Sequence, residues 1–297
     1  MINEKAEMMG ALITKPSDSS LSVPSQEPLI KIRASQPSVV SQLRAAWDHR
    51  ELLYFLIWRD LKVRYKQTAL GAAWVILQPL LMTLVFTVFI SKLARVPSDG
   101  VPYALFAYAG LLPWMFFSGA VLASSQSLLS SSYIITKVYF PRLIVPVAVV
   151  GVRLVDFLIA SVVLVGPILY YGVGFGRSIL MLPLFVIEIT FLSLAIGLLF
   201  SVLSIKYRDV GTVLPVLIQL WMFASPIIYP SSLVPERWRE LYALNPIVGI
   251  VEGVRASLFR FPFNTRSIII SAAVTLIFLI YSYYFFCRTE GDLLDVL

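Results

Sequence analysis

Thiol and imidazole chemistry is almost absent from this sequence: its 297 residues include one cysteine, Cys287, and one histidine, His49. A zinc centre needs three or four His, Cys or carboxylate ligands close together, and a disulfide needs two thiols. Neither is available within one chain. No Gly-Lys pair occurs, so no phosphate-cradling P-loop can form, and Gly172, Gly174 and Gly176 join two apolar runs rather than a strand and a helix. Also missing are G-x-S-x-G, H-E-x-x-H and any cluster of carboxylates at one membrane face, which argues against hydrolases, zinc proteases and metal-dependent glycosyl transfer. The expectation is a chain with no catalytic residue, no metal and no cofactor of its own, in which any ATP is hydrolysed by another polypeptide.

Charge is scarce as well. Only 14% of residues are charged and 58% are apolar, with a mean hydropathy of +0.83, well outside the range of soluble chains. The formal net charge of +7 does not point to nucleic acid, because long apolar runs separate the Lys and Arg residues. Basic flanks of membrane helices account for it. Residues 1–42 are rich in Ser and Pro and lack an apolar core, so they read as a disordered cytoplasmic tail rather than a cleaved signal.

A bilayer crossing takes roughly 20 apolar helical residues. Six segments qualify: 70–91, 103–129, 143–171, 178–205, 210–229 and 267–287. Six crossings place both ends on one side, and the basic cluster Arg59, Lys62, Arg64 and Lys66 before the first span makes that side cytoplasmic, with a last short tail over 288–297. The predicted fold is an all-α membrane protein. No tandem or inverted repeat is visible, so any symmetry has to come from a second copy.

Several segments outside the spans carry pattern. Residues 43–66, within a stretch reaching 69, place Leu43, Trp47, Tyr54, Trp58, Leu61 and Tyr65 on one face at helical spacing, the mark of an interfacial anchor or a partner-docking helix. Between the second and third spans, 130–142 is unusually apolar for a short connection and calls for a protein partner. Across 230–266 two helical patterns meet at Asn245-Pro246, an N-cap residue followed by a favoured first helical residue. They predict two short helices at the outer face, serving as a plug or as a gate.

Ionisable groups inside spans are costly and face the bundle or water. Arg153 and Asp156, three apart in the third span, share a face and can neutralise each other; Glu188 lies at similar depth in the fourth. Either a structural ion pair or substrate contact fits. Aromatic residues crowd the second span, among them Phe106, Tyr108, Trp114 and Phe117, as interfacial belts do. A path for sugar polymers uses the same residue type, since aromatic faces accept the C–H side of pyranose rings.

The sequence also resembles a known family, the membrane-spanning subunits of ABC exporters for bacterial polysaccharides such as O-antigen, capsule and wall teichoic acid. The likeness runs over about 52–287. It rests on the run from Arg59 to Gly71 with Trp74 and Gln78-Pro79, on Gly110-Leu111-Leu112-Pro113-Trp114, on Lys137-Val138-Tyr139-Phe140-Pro141-Arg142, on Tyr207-Arg208-Asp209, on Ser225-Pro226-Ile227-Ile228-Tyr229 and on Leu244-Asn245-Pro246.

What the resemblance implies is a bacterial inner-membrane homodimer of six-span subunits. Two copies of a separate ATPase subunit, carrying ATP and Mg, would drive a lipid-linked polysaccharide outward between them. Carried over by position, the interface helix would include Trp58, Arg59, Asp60, Lys62, Arg64, Tyr65 and Lys66. The coupling helix seated on the ATPase would include Tyr133, Ile134, Lys137, Val138, Tyr139, Phe140 and Arg142. A channel between two copies, lined by the first and fifth spans, adds Trp74, Trp221 and Tyr229 to the aromatic candidates. The outer gate, 234–260, would use Trp238, Tyr242, Asn245, Pro246, Glu252 and Arg255. Two other readings share the composition: an exporter of drugs or simple lipids, and an integral-membrane enzyme acting on polyprenyl-linked sugars, whose mark would be paired carboxylates or His at one interface.

Overall fold

The structure, a computed structural model, describes residues 39–66, 71, 73–138, 140–172 and 176–290. Outside them lie the expected tail apart from 39–42, residues 67–70, Tyr139 of the coupling segment, Gly174 and the last residues, 291–297. In chain order the helices are α1 (Val39–Asp48), α2 (Arg50–Lys66), α3 (Ala73–Phe86, continued by a wider turn over Thr87–Leu93), α4 (Tyr103–Ser130), α5 (Ser132–Lys137) and α6 (Ile144–Val162). They continue with α7 (Val165–Tyr170), α8 (Leu182–Lys206, entered by a tight turn over Arg177–Met181), α9 (Val210–Phe223), α10 (Glu236–Ala243), α11 (Pro246–Phe259) and α12 (Thr265–Thr289). Among the described residues no strand forms.

Among the described residues five segments are long and apolar enough to cross a bilayer: Ala73–Leu93, Tyr103–Ser130, Ile144–Tyr170, Arg177–Lys206 and Thr265–Thr289. The segment expected at 210–229 departs from the prediction, because its helix, α9, stops at Phe223 after 14 residues. Pro226 has no N–H to donate and disfavours helical backbone at Ser225, so the chain leaves the helix and turns through 224–229. The third span bends between α6 and α7 for a related reason. Pro167 cannot donate to the carbonyl of Val163, and Val163 and Leu164 form a turn.

Apolar side chains gain little by leaving lipid for protein, so helices in a bilayer associate through close packing of small residues. The sequence of α4 supplies them: Ala107, Ala109, Gly110, Ala120 and Ser124 are all buried. This helix is the hub of the bundle, packed against α8, α6, α3 and α11. By contrast α3 and α9 are mostly exposed, with two buried residues each.

The expected amphipathic helix over 43–66 is broken at His49 into α1 and α2. Within the chain it packs side chains other than the aromatic ones read as facing the interface or a partner. Trp47, Tyr54 and Trp58 are 71%, 70% and 56% exposed, whereas Leu56 is buried and Leu53 and Ile57 half-buried beside α6. Ile57 lies over Gly151, where a Cβ would come within 2.7 Å of its Cδ1. Further on, Arg64 and Tyr65 reach Asp156 of α6. Because the contacts advance together along both helices, α2 runs alongside α6 for several turns instead of crossing it once.

Candidate functional site

Three places collect the polar and aromatic residues singled out by the sequence. The first is the α4–α5–α6 hairpin. α5 is a six-residue helix that divides its apolar residues between two sides. Ile135 and Phe140 are buried in a cluster with Leu128, Leu143, Ile144 and Leu56, and Ile134 packs against them. Tyr133 and Val138 are 69% and 56% exposed. Lys137 sits over the Tyr133 ring at 3.9 Å and its Nζ donates to the Tyr133 hydroxyl at 2.7 Å. Phe140 is therefore a packing residue, and Tyr133, Lys137 and Val138 are left on the exposed side.

Arg142 closes this hairpin through contacts that the sequence did not reveal. Its guanidinium donates to the backbone carbonyl of Glu290, its N–H donates to the Glu290 carboxylate at 3.4 Å, and Gln42 donates to the same carboxylate. Gln42 and Glu290, near the two ends of the described residues, thus meet beside the α4–α5–α6 hairpin. Burial pushes the Glu290 carboxyl above its ordinary value, opposed by Arg142.

The second place lies where α2 meets α6. Asp156 accepts from Arg64 and from the Tyr65 hydroxyl, while Arg153 stands 4.0 Å away at the far edge of ion-pair range. The pair foreseen within the third span is present, yet its carboxylate is claimed by the neighbouring helix. Arg59 and Asp60 pair with each other at 2.8 Å; Lys62 and Lys66 are exposed. Glu188 is separate from this cluster. It accepts from Ser271 of α12 at 2.5 Å, and the Ser271 hydroxyl also lies 2.6 Å from the Pro246 carbonyl.

The third place is the turn after α9 together with α10 and α11. A non-helical stretch held within a membrane protein needs a donor for each carbonyl. Arg255, wholly enclosed in α11, donates to Pro226 O at 2.6 Å, Ile227 O at 2.7 Å and Phe106 O at 3.3 Å, with its guanidinium 3.5 Å over the Phe106 ring. Tyr103 donates to Ile228 O at 2.7 Å. Asn245 caps α11 by accepting from the Ile247 N–H at 3.1 Å, accepts from Trp221 at 3.0 Å, and donates to Ala224 O at 3.1 Å. Pro246 occupies the first turn of α11, and Tyr242 meets the Tyr229 hydroxyl at 3.1 Å. Among the described residues one side-chain oxygen of Glu252 is enclosed without a hydrogen-bond partner. Trp221, Trp238, Tyr242 and Asn245 line a cavity of 550 Å³.

The aromatic candidates divide by helix. Phe106, Tyr108, Trp114 and Phe117 are 4% exposed or less inside α4 packing, which makes them core residues in this conformation. Trp74 is 49% exposed and Trp221 and Tyr229 are half-buried. Among the described residues no group of His, Cys, Asp and Glu is placed to hold a metal.

Comparison with known proteins agrees with this architecture. The ABC-2 type transporter family matches residues 51–259. The O-antigen export system permease protein RfbA of Myxococcus xanthus is 30% identical over 246 residues, 81% of this chain and 93% of that one. A protein of the same name from Klebsiella pneumoniae is 30% identical over 202 residues, covering 68% and 77% of the two chains. The polysialic acid transport protein KpsM of Escherichia coli is 22% identical over 204 residues, covering 66% and 77%. By a match that spans more than half of its length and every helix from α3 to α11, this chain belongs to the ABC-2 type transporter family.

Proposed function

We propose that this chain is the membrane subunit of an ATP-driven exporter that carries a lipid-linked polysaccharide, of the O-antigen kind, out of the cytoplasm. In this reading α9 counts as a short fifth crossing, which restores six spans and puts both termini on the cytoplasmic side of the bacterial inner membrane. Two copies form the conduit, with the exposed helices α3 and α9 toward its axis and α10 and α11 as the outer gate. Two copies of a separate subunit supply ATP and Mg.

The observation that carries the reading is the exposed face of α5. The Tyr133 aromatic held up by Lys137, on a short helix anchored underneath by Ile135 and Phe140, is a knob with nothing among the described residues to receive it. Membership of the ABC-2 type transporter family implies an ATP-binding partner, and in this reading that partner is the receiver. The test is co-purification of the full chain with its ATPase in detergent. Wild type is expected to retain the ATPase and alter its turnover, and Tyr133→Asp to lose both while eluting normally. An unchanged complex in that variant removes α5 as the docking element.

A further inference from the structure

Arg153 is distinguished by what it lacks. Its side chain is 31% exposed, it makes no hydrogen bond among the described residues, and its ion pair with Asp156 is stretched to 4.0 Å. Asp156 has little left to offer, since Arg64 donates to Oδ2 and the Tyr65 hydroxyl to Oδ1. The next carboxylate, Asp60, is held by Arg59. With Asp156 taken up by Arg64 and Tyr65, the positive charge of Arg153 on this membrane-spanning helix is only weakly answered. Such a charge persists where an anion or water answers it.

Beside this cluster lies a cavity of 110 Å³ lined by Arg64, Trp74, Gln78, Met115, Arg153 and Asp156. Gln78 and Trp74 are exposed, so the cavity opens at the surface of the subunit. On the Trp74 and Gln78 side of α3 the exposed apolar side chains Leu81, Met82 and Val85 follow from that rim at helical spacing. A guanidinium fork in reach, an amide donor on the rim and a greasy track leading away match one ligand class: a phosphate carried on a hydrocarbon chain.

We propose that this cleft binds the phosphate of a lipid, with Arg153 taking the phosphate oxygens and the hydrocarbon lying along α3. The exporter reading enters only in naming the lipid: the prenyl-type carrier of the glycan has the required chemistry, and so does an anionic phospholipid of the bilayer.

The test uses the purified full chain in detergent and native mass spectrometry, with farnesyl diphosphate, phosphatidylglycerol and inorganic diphosphate as probes. Wild type is expected to retain a lipid probe, Arg153→Met to bind it roughly tenfold or more weakly, and Arg153→Lys to recover part of the loss. Retention of farnesyl diphosphate assigns the site to the glycan carrier and retention of phosphatidylglycerol to a bilayer lipid; either supports the site. Should Arg153→Met fail to fold, Gln78→Leu on the rim replaces it, again with weaker binding expected. Equal retention by wild type and the folded variant, no lipid retained by wild type, or retention of inorganic diphosphate alone overturns the proposal. Those results leave export untouched, since glycan export in cells is measured separately.

Discussion

A guanidinium enclosed by protein needs acceptors for its N–H groups, and Arg255 has the carbonyls of Phe106, Pro226 and Ile227. Arg255→Met would strand these carbonyls at a cost of about 2–4 kcal/mol. The expected outcome is a clear fall in the thermal unfolding midpoint in detergent, with Arg255→Lys intermediate. Gly110→Ala supplies a charge-free version of the experiment. A Cβ there would stand 2.5 Å from Arg255 Nη2 and 2.7 Å from the Ile227 carbonyl, so the added methyl forces the latch apart and is expected to lower the midpoint, although alanine is the better helix former. Glu290 gives a pH signature. A carboxyl whose pKa is raised in the folded state holds its proton more tightly there, so stability falls as pH climbs from the ordinary value of 4.5 through the raised one and is level above both. Glu290→Gln removes that slope. The midpoint of the variant relative to wild type is expected to be more favourable at pH 7.5 than at pH 4, and a difference constant across that range would contradict the burial of this carboxyl.

Among the elements, α5 is the one whose role is most open to direct assault. Tyr133→Asp is expected to keep the fold and to abolish ATPase stimulation and export together, because the ring is 69% exposed. Phe140→Asp is expected instead to prevent folded protein from accumulating, since that ring is buried beside Leu128 and Leu143. Expression and elution profiles of the two variants tell them apart. The sequence revealed that 130–142 was too apolar for a loop but not which side chains pointed inward, because six residues of helix fix no face until α4 and α6 are placed. Long apolar runs located the spans for the opposite reason, each being sufficient alone to cross a bilayer. Pro226 shortened one of them, a local break that average hydropathy passes over. Asn245 was legible as a cap because its signal is local, Asn followed by Pro. The meeting of Gln42, Arg142 and Glu290 was not, as two of these residues are 248 positions apart. The aromatic residues Trp47, Tyr54 and Trp58 were legible as a face turned away from the bundle, but the packing of Leu53, Leu56 and Ile57 on α6 was not, because it depends on where α6 lies.

At the scale of the whole molecule the proposed exporter rests on a division of labour, in which this polypeptide would supply a helical conduit and a lever and another would supply the energy. The chain alone is expected to show no ATP turnover above background, as it has no nucleotide-binding pattern. The central claim is tested most directly in cells from which this chain alone has been deleted, by following where the polysaccharide accumulates. The account predicts that the glycan is still synthesised, stays linked to its lipid and inaccessible from outside the cell, and reaches the surface again when wild type but not Tyr133→Asp is restored. Normal surface polysaccharide in the deletion strain, or failure to make the glycan at all, would contradict it.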